Sequence, residues 1–254
     1  MSQKPTLIFI PGAWHIASTW EKVTTPLEAQ GYKCICITLP STLGNPATTF
    51  LDDITAARDA IVAEATQGRD VVVVVHSYGS MVGSSAIKGL TKANSTSSSG
   101  GHVVGYVMMA TGFTQTGKCF FDGFPGGTPP PIWRLDHEAG FLFLEIPARE
   151  LFYHDLPEEE GDLWVSKLTK QALKPLIEGG EHAYSGWKDV PVWYLSTTED
   201  KALPVQAQEF FLQMAKNEGG DITVRELPTS HSPMLSKPKE TVDFLLEALA
   251  AFAK

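Results

Sequence analysis

The stretch Val73-Val74-Val75-His76-Ser77-Tyr78-Gly79 constrains the fold of this 254-residue chain more than any other. The run Asp70 to Val75 is too short and too β-branched for a helix and reads as a central strand buried on both faces. From Tyr78 onward the spacing of Met81, Val82, Ala86 and Ile87 is helical, so Ser77 falls on the sharp turn between strand and helix. A serine on such a turn holds its hydroxyl at the carboxyl edge of the sheet. The N–H of Tyr78, at the helix N-terminus, is then aimed at any oxyanion that develops there.

The motif for a nucleophile on this turn is G-x-S-x-G, and the chain has Val75 at the first glycine position. A branched side chain there requires small neighbours such as Ser80. A His-Ser pair after a buried strand can also serve as a plain helix cap, so the rest of the chain has to decide.

Strand patterns at 6–10, 33–38, 71–75, 103–109, 192–196 and 222–226 alternate with helical patterns at 19–29, 51–66, 78–90, 205–217 and 239–251. That alternation predicts an α/β fold with a mostly parallel, doubly wound sheet flanked by helices. With 43% hydrophobic and 19% charged residues, the chain suits one domain spanning 1–254. The Ser/Thr/Gly-rich run from Thr91 to Gly101 reads as a flexible surface loop. Between about 114 and 187 the alternation stops, in a segment dense in Pro, Phe and acidic residues with weaker helical patterns at 137–144 and 158–168. An insertion there covers the carboxyl edge of the sheet, where open α/β folds bind ligands, and is expected to be a cap or lid.

A serine hydroxyl needs a base, and the base needs an acid to hold its tautomer. In sheets of this kind the acid and then the histidine follow the serine on loops after later strands. His231, in Leu227-Pro228-Thr229-Ser230-His231-Ser232-Pro233, follows the last strand pattern and is the expected base. His76 reads as structural, and His102, His137, His154 and His182 fall in loops or the insertion. For the acid, Asp200 is favoured over its neighbour Glu199, which has Lys201 beside it as a surface partner. The loop Pro11-Gly12-Ala13-Trp14-His15 is expected to turn the Ala13 N–H inward beside that of Tyr78. Trp14, Phe121, Trp133, Phe152 and Trp164 are candidates for an apolar substrate-binding wall under the cap.

The formal charge of -9, with acids spread along the chain and no basic stripe, argues against a nucleic-acid surface. Met1 to Pro5 runs directly into the first strand pattern, which implies no signal peptide, no membrane span and a cytoplasmic protein. Cys34, Cys36 and Cys119 have no metal-ligand spacing and read as buried free thiols, so neither metal nor cofactor is expected. A homodimer is compatible with the sequence.

With these residues in place, the chain resembles the α/β-hydrolase superfamily over nearly its whole length, and within it the small group of plant methyl-ester esterases, hydroxynitrile lyases and their bacterial and fungal relatives. The resemblance is carried by Pro11 to His15 with Trp20, by Val75 to Gly79, by Thr198 to Pro204 and by Thr229 to Pro233, with Phe152-Tyr153-His154-Asp155-Leu156-Pro157 resembling a cap segment. It implies a triad of Ser77, Asp200 and His231, an oxyanion hole from Ala13 and Tyr78, and cleavage of a small-molecule ester or lactone. Lyases of the group carry a lysine after the histidine and a threonine in the first loop, where this chain has Ser232 and Gly12. Cyanohydrin cleavage is therefore not expected. Pro11 also departs from the usual histidine. Another lyase or C–C bond hydrolase chemistry on the same site, and a non-catalytic small-molecule receptor, are the alternatives.

Overall fold

A computed structural model describes residues 3–94 and 100–253. In chain order the first half contains β1 (Thr6–Ile10), α1 (Glu21–Ala29), β2 (Lys33–Cys36), α2 (Phe50–Ala65), β3 (Val71–His76), α3 (Gly79–Ala86) and β4 (Val103–Met109). After an insertion come β8 (Val192–Thr197), α7 (Val205–Asn217), β9 (Ile222–Leu227), α8 (Pro233–Ser236) and α9 (Pro238–Phe252), the numbering allowing for three short strands and three helices inside the insertion. Of the expected surface loop, residues 95–99 lie outside the described residues. At its start Thr91 is buried and bridges to Val103.

The large sheet is parallel throughout, with strand order β2-β1-β3-β4-β8-β9. Val71 to Val75 are completely buried at its centre. Each such side chain contributes about 1.5–3 kcal/mol of burial, against a few tenths for backbone propensity, so burial decides that this run is a strand. Edge strands β2 and β9 are only partly covered. The chain leaves β1 toward β2 and returns on the other side as β3, so the order reverses between β1 and β3. The segments after those two strands therefore flank the crevice where such sheets bind ligands.

Several boundaries move. A 3-10 turn at Ala17–Trp20 precedes α1, and α3 stops at Ala86, with Gly89 beyond it in the left-handed region at φ 73°. Helix α2 starts at a reciprocal capping box between Thr49 and Asp52. Cys34 and Cys36 are free but only partly buried, and burial, reinforced by the charge of Glu28, pushes both thiols up to about 12.

The insertion holds β5 (Trp133–Asp136), β6 (Phe141–Leu144), α4 (Ala148–Phe152), α5 (Glu158–Ser166), β7 (Gln171–Ala172) and α6 (Lys174–Ile177), with β5-β6-β7 forming a small antiparallel sheet. The helix expected at 137–144 is absent, and a hairpin takes its place. Asp136 accepts from the Ala139 and Gly140 N–H groups, Gly140 turns at φ 74°, and Phe141 pairs with Asp136 and Leu144 with Trp133. Four consecutive apolar residues carry no period of their own, so the turn chemistry and the pairing partner decided. Leu142, Leu151, Phe152, Tyr153 and Trp164 of the insertion belong to the same continuous apolar core as the sheet. Among the described residues no helix is long and apolar enough to cross a membrane.

Candidate active site

β3 carries Ser77 to the carboxyl edge in a left-handed conformation, φ 49°. For a residue with a Cβ this costs on the order of 1–3 kcal/mol and persists only when its surroundings hold it. They do: the Ser77 N–H donates to Met109 O at 3.2 Å, and its carbonyl accepts from the Ser80 N–H at 2.9 Å and the Thr111 hydroxyl at 2.8 Å. Trp14 (φ 62°) and Ala110 (φ 52°) are the other non-glycine residues in this region among the described residues. All three lie on the wall of one cavity at the carboxyl edge of the sheet. Such outliers cluster at active sites and ligand clamps, which makes this cavity the candidate site.

Two glycines let the first loop and the serine turn approach each other. A Cβ on Gly12 would stand 2.9 Å from both Ser77 Cβ and His76 Nδ1, and one on Gly79 would stand 2.5 Å from the Pro11 carbonyl oxygen. Neither the Ala13 nor the Tyr78 N–H donates to a protein acceptor among the described residues. Both amides are therefore available to a bound group. The Tyr78 side chain turns away, its hydroxyl donating to buried Asp53 at 2.9 Å. Val75 is accommodated by Gly83, where a Cβ would meet Val75 Cγ1 at 2.7 Å.

His231 and Asp200 follow β9 and β8, and both are buried. His231 Nδ1 lies 2.8 Å from Asp200 Oδ2. A carboxylate only accepts, so Nδ1 carries a proton, and in the neutral ring Nε2 holds the lone pair. Asp200 also accepts from the Thr197 hydroxyl at 2.9 Å and from the Ala202 and Leu203 N–H groups at 2.8 Å. Gln208 on α7 braces that loop through the Thr197 and Leu203 carbonyls. Glu199 is exposed, and Lys201 lies nearest Glu150, not Glu199. Among the described residues the bond to Asp200 is the single one recorded for the His231 ring. A contact with Ser77 is thus not closed, and such contacts commonly tighten once substrate is bound.

Two further histidines surround this pair. His76 is buried, its Nε2–H donating to the His231 carbonyl at 2.8 Å, with the two rings 4.6 Å apart. Burial, with His231 and His15 nearby, holds it well below the ordinary histidine range. His15 is lowered to about 4, chiefly by burial. Its Nδ1–H donates to Ala13 O at 2.7 Å, so its neutral Nε2 accepts from the Tyr153 hydroxyl at 2.7 Å.

The cavity is a cleft partly open to solvent. Ala13, Trp14, Ser77 and His231 line it from the sheet side, and Phe120, Phe124, Trp133 and Phe152 from the insertion. Of the apolar wall expected from sequence, Trp14, Trp133 and Phe152 are present. Phe121 and Trp164 are not on the wall: Phe121 packs behind it against Trp133, and Trp164 is buried under Lys167. Phe120, Phe124, Met81 and Phe211 were not foreseen. The run Phe120-Phe121 signalled an aromatic cluster, but an irregular segment has no period from which to read the inward face.

Residues 7–244 match the Alpha/beta hydrolase family, and the chain belongs to it. It is 28% identical over 247 residues to the alpha/beta hydrolase nvfD of Aspergillus novofumigatus, covering 96% of each chain. It is 26% identical over 271 residues to norfluorocurarine synthase 2 of Strychnos nux-vomica, covering 97% of this chain and 96% of that protein. The solved structure of polyneuridine aldehyde esterase superimposes with a TM-score of 0.77 at 21% identity, over 96% of this chain and 99% of that one.

Proposed function

We propose that the protein hydrolyses small, largely apolar carboxylic esters or lactones through an acyl-enzyme. His231 Nε2 removes the proton from Ser77 Oγ as that oxygen attacks the carbonyl carbon. The carbonyl electron pair moves onto oxygen, where the Ala13 and Tyr78 N–H groups stabilise it, each worth on the order of 100- to 1,000-fold in rate. Collapse breaks the C–O bond, and His231 returns the proton to the departing alcohol. Water, deprotonated by His231, then releases the carboxylic acid and restores Ser77. Asp200 keeps the imidazole in the required tautomer and stabilises its cation.

The observation that carries this reading is the buried His231–Asp200 pair on a cavity whose wall also holds Ser77 in its strained turn. The apolar character of the substrate follows from the wall, where the Thr111 and Thr114 hydroxyls are spent on the carbonyls of Ser77 and Ser80. The test is a panel of p-nitrophenyl esters and lactones on wild type and Ser77→Ala, with fluorophosphonate labelling. Labelling at Ser77 and loss of turnover in the variant are expected. Retained turnover in Ser77→Ala would replace the acyl-enzyme with base catalysis by His231 alone, a second reading favoured by the similarity to a synthase. Absence of both labelling and turnover would indicate a receptor.

A further inference from the structure

Asp155 lies on the insertion, outside the groups that the proposed reaction uses. Its Oδ2 accepts from the Ser230 N–H at 2.9 Å and the Thr229 hydroxyl at 3.1 Å, the two residues that precede His231. The Ser230 hydroxyl donates in return to Phe152 O at 3.0 Å. Next to Asp155, His154 donates to Glu199 O at 2.9 Å, and the Glu199 N–H donates to Thr229 O at 3.2 Å. The cap segment, the acid loop and the base loop thus form a closed triangle of hydrogen bonds. The Phe152 ring completes it, 5.4 Å from the His231 ring.

Burial opposes the charge of Asp155, yet hydrogen bonds from Ser230, Ser236 and Thr229 hold its carboxyl below the usual carboxylate range. Its Oδ1 is buried without a partner among the described residues. An ionised group with one unsatisfied oxygen is a costly way to pack a loop, because burial of an unpaired polar atom opposes folding. What the carboxylate does supply is a rigid, doubly bonded anchor one residue from His231.

We infer that Asp155 is a positioning residue for His231, fixing the base loop against the cap so that the imidazole meets Ser77 only when the cap segment is seated. The inference rests on the reading of His231 as the base. Misplacing a reacting group by about 1 Å costs on the order of 100-fold. Asp155→Ala is therefore expected to lower kcat on that order with KM unchanged. Asp155→Asn, whose amide oxygen still accepts from the Ser230 N–H, should retain most of it, and Thr229→Val should fall between. The low-field proton signal of the His231 Nδ1–H should persist in wild type and Asp155→Asn and broaden in Asp155→Ala.

That signal needs no turnover, so it tests Asp155 even if Ser77→Ala shows the acyl-enzyme reading to be wrong. The inference is overturned if Asp155→Ala leaves both kcat and the signal intact, if Asp155→Asn is no better than Asp155→Ala, or if cooling Asp155→Ala well below its Tm restores wild-type kcat. In the last case the residue merely stabilises the fold.

Discussion

The parallel sheet and the insertion meet at one cavity but are held in place by different means. On the sheet side, ladders on both flanks of β1, β3 and β4 fix the backbone so firmly that Ser77, Trp14 and Ala110 stay in left-handed conformations. On the insertion side, two-residue β7, a hairpin of four-residue strands and short helices depend on aromatic packing and on isolated hydrogen bonds such as that from the Trp14 indole to Leu142 O at 3.1 Å. The contrast teaches a division of labour. A stiff ladder can store the strain that a reactive geometry needs, whereas a loosely periodic cap, outside its link through Asp155, can vary the shape of the space above it without disturbing that geometry.

If this division holds, the largest effects on rate come from the sheet side. Asp200→Asn should lower kcat roughly 10,000-fold by releasing the His231 tautomer, with Tm little changed, as steady-state kinetics and thermal melting would register. Gly12→Ala should lower kcat about 100- to 1,000-fold, because the new Cβ collides with Ser77 and displaces the loop that carries the Ala13 N–H. A Gly12→Ala enzyme with wild-type kcat would break the contrast, since the loop after β1 would then be as adaptable as the cap.

The next effect lies beneath the turn. Burial raises Asp53 from its ordinary 3.8 to about 6, although Ser41 and Tyr78 donate to it. Between those values the folded protein holds a proton that the unfolded chain has lost. This group's contribution to stability is therefore present at lower pH and is lost as pH rises through the window, by roughly 3 kcal/mol at most. Denaturant titrations from pH 4 to 7 should show that decline superimposed on the other groups, and Asp53→Asn should remove it.

Smaller effects sharpen the comparison. Gly83→Ala should cost about 1–3 kcal/mol through its collision with Val75, and less in a Val75→Ala background, a coupling that a double-mutant cycle in denaturant would measure. Trp133→Ala, on the cap, should change kcat/KM about tenfold on bulky esters and hardly at all on p-nitrophenyl acetate. Equal losses on both substrates would mean that the cap reaches into the chemistry beyond the link through Asp155.

The sequence by itself determined the layout of the sheet and the stations at its edge. β1 and β4 have the boundaries that their patterns predict, and Ser77, Asp200 and His231 stand just beyond β3, β8 and β9, because strand and helix periodicities are local and burial enforces them. Tertiary structure decided the rest. Whether 137–144 became a hairpin, whether Trp164 or Phe120 reached the cavity, and which glycine made room for Val75 all depend on partners distant in the chain. So does the bond from Asp155 to Ser230. No local period encodes such contacts: each is settled when the insertion closes over the sheet and the side chains left inside must pack and, for the most part, pair their polar groups.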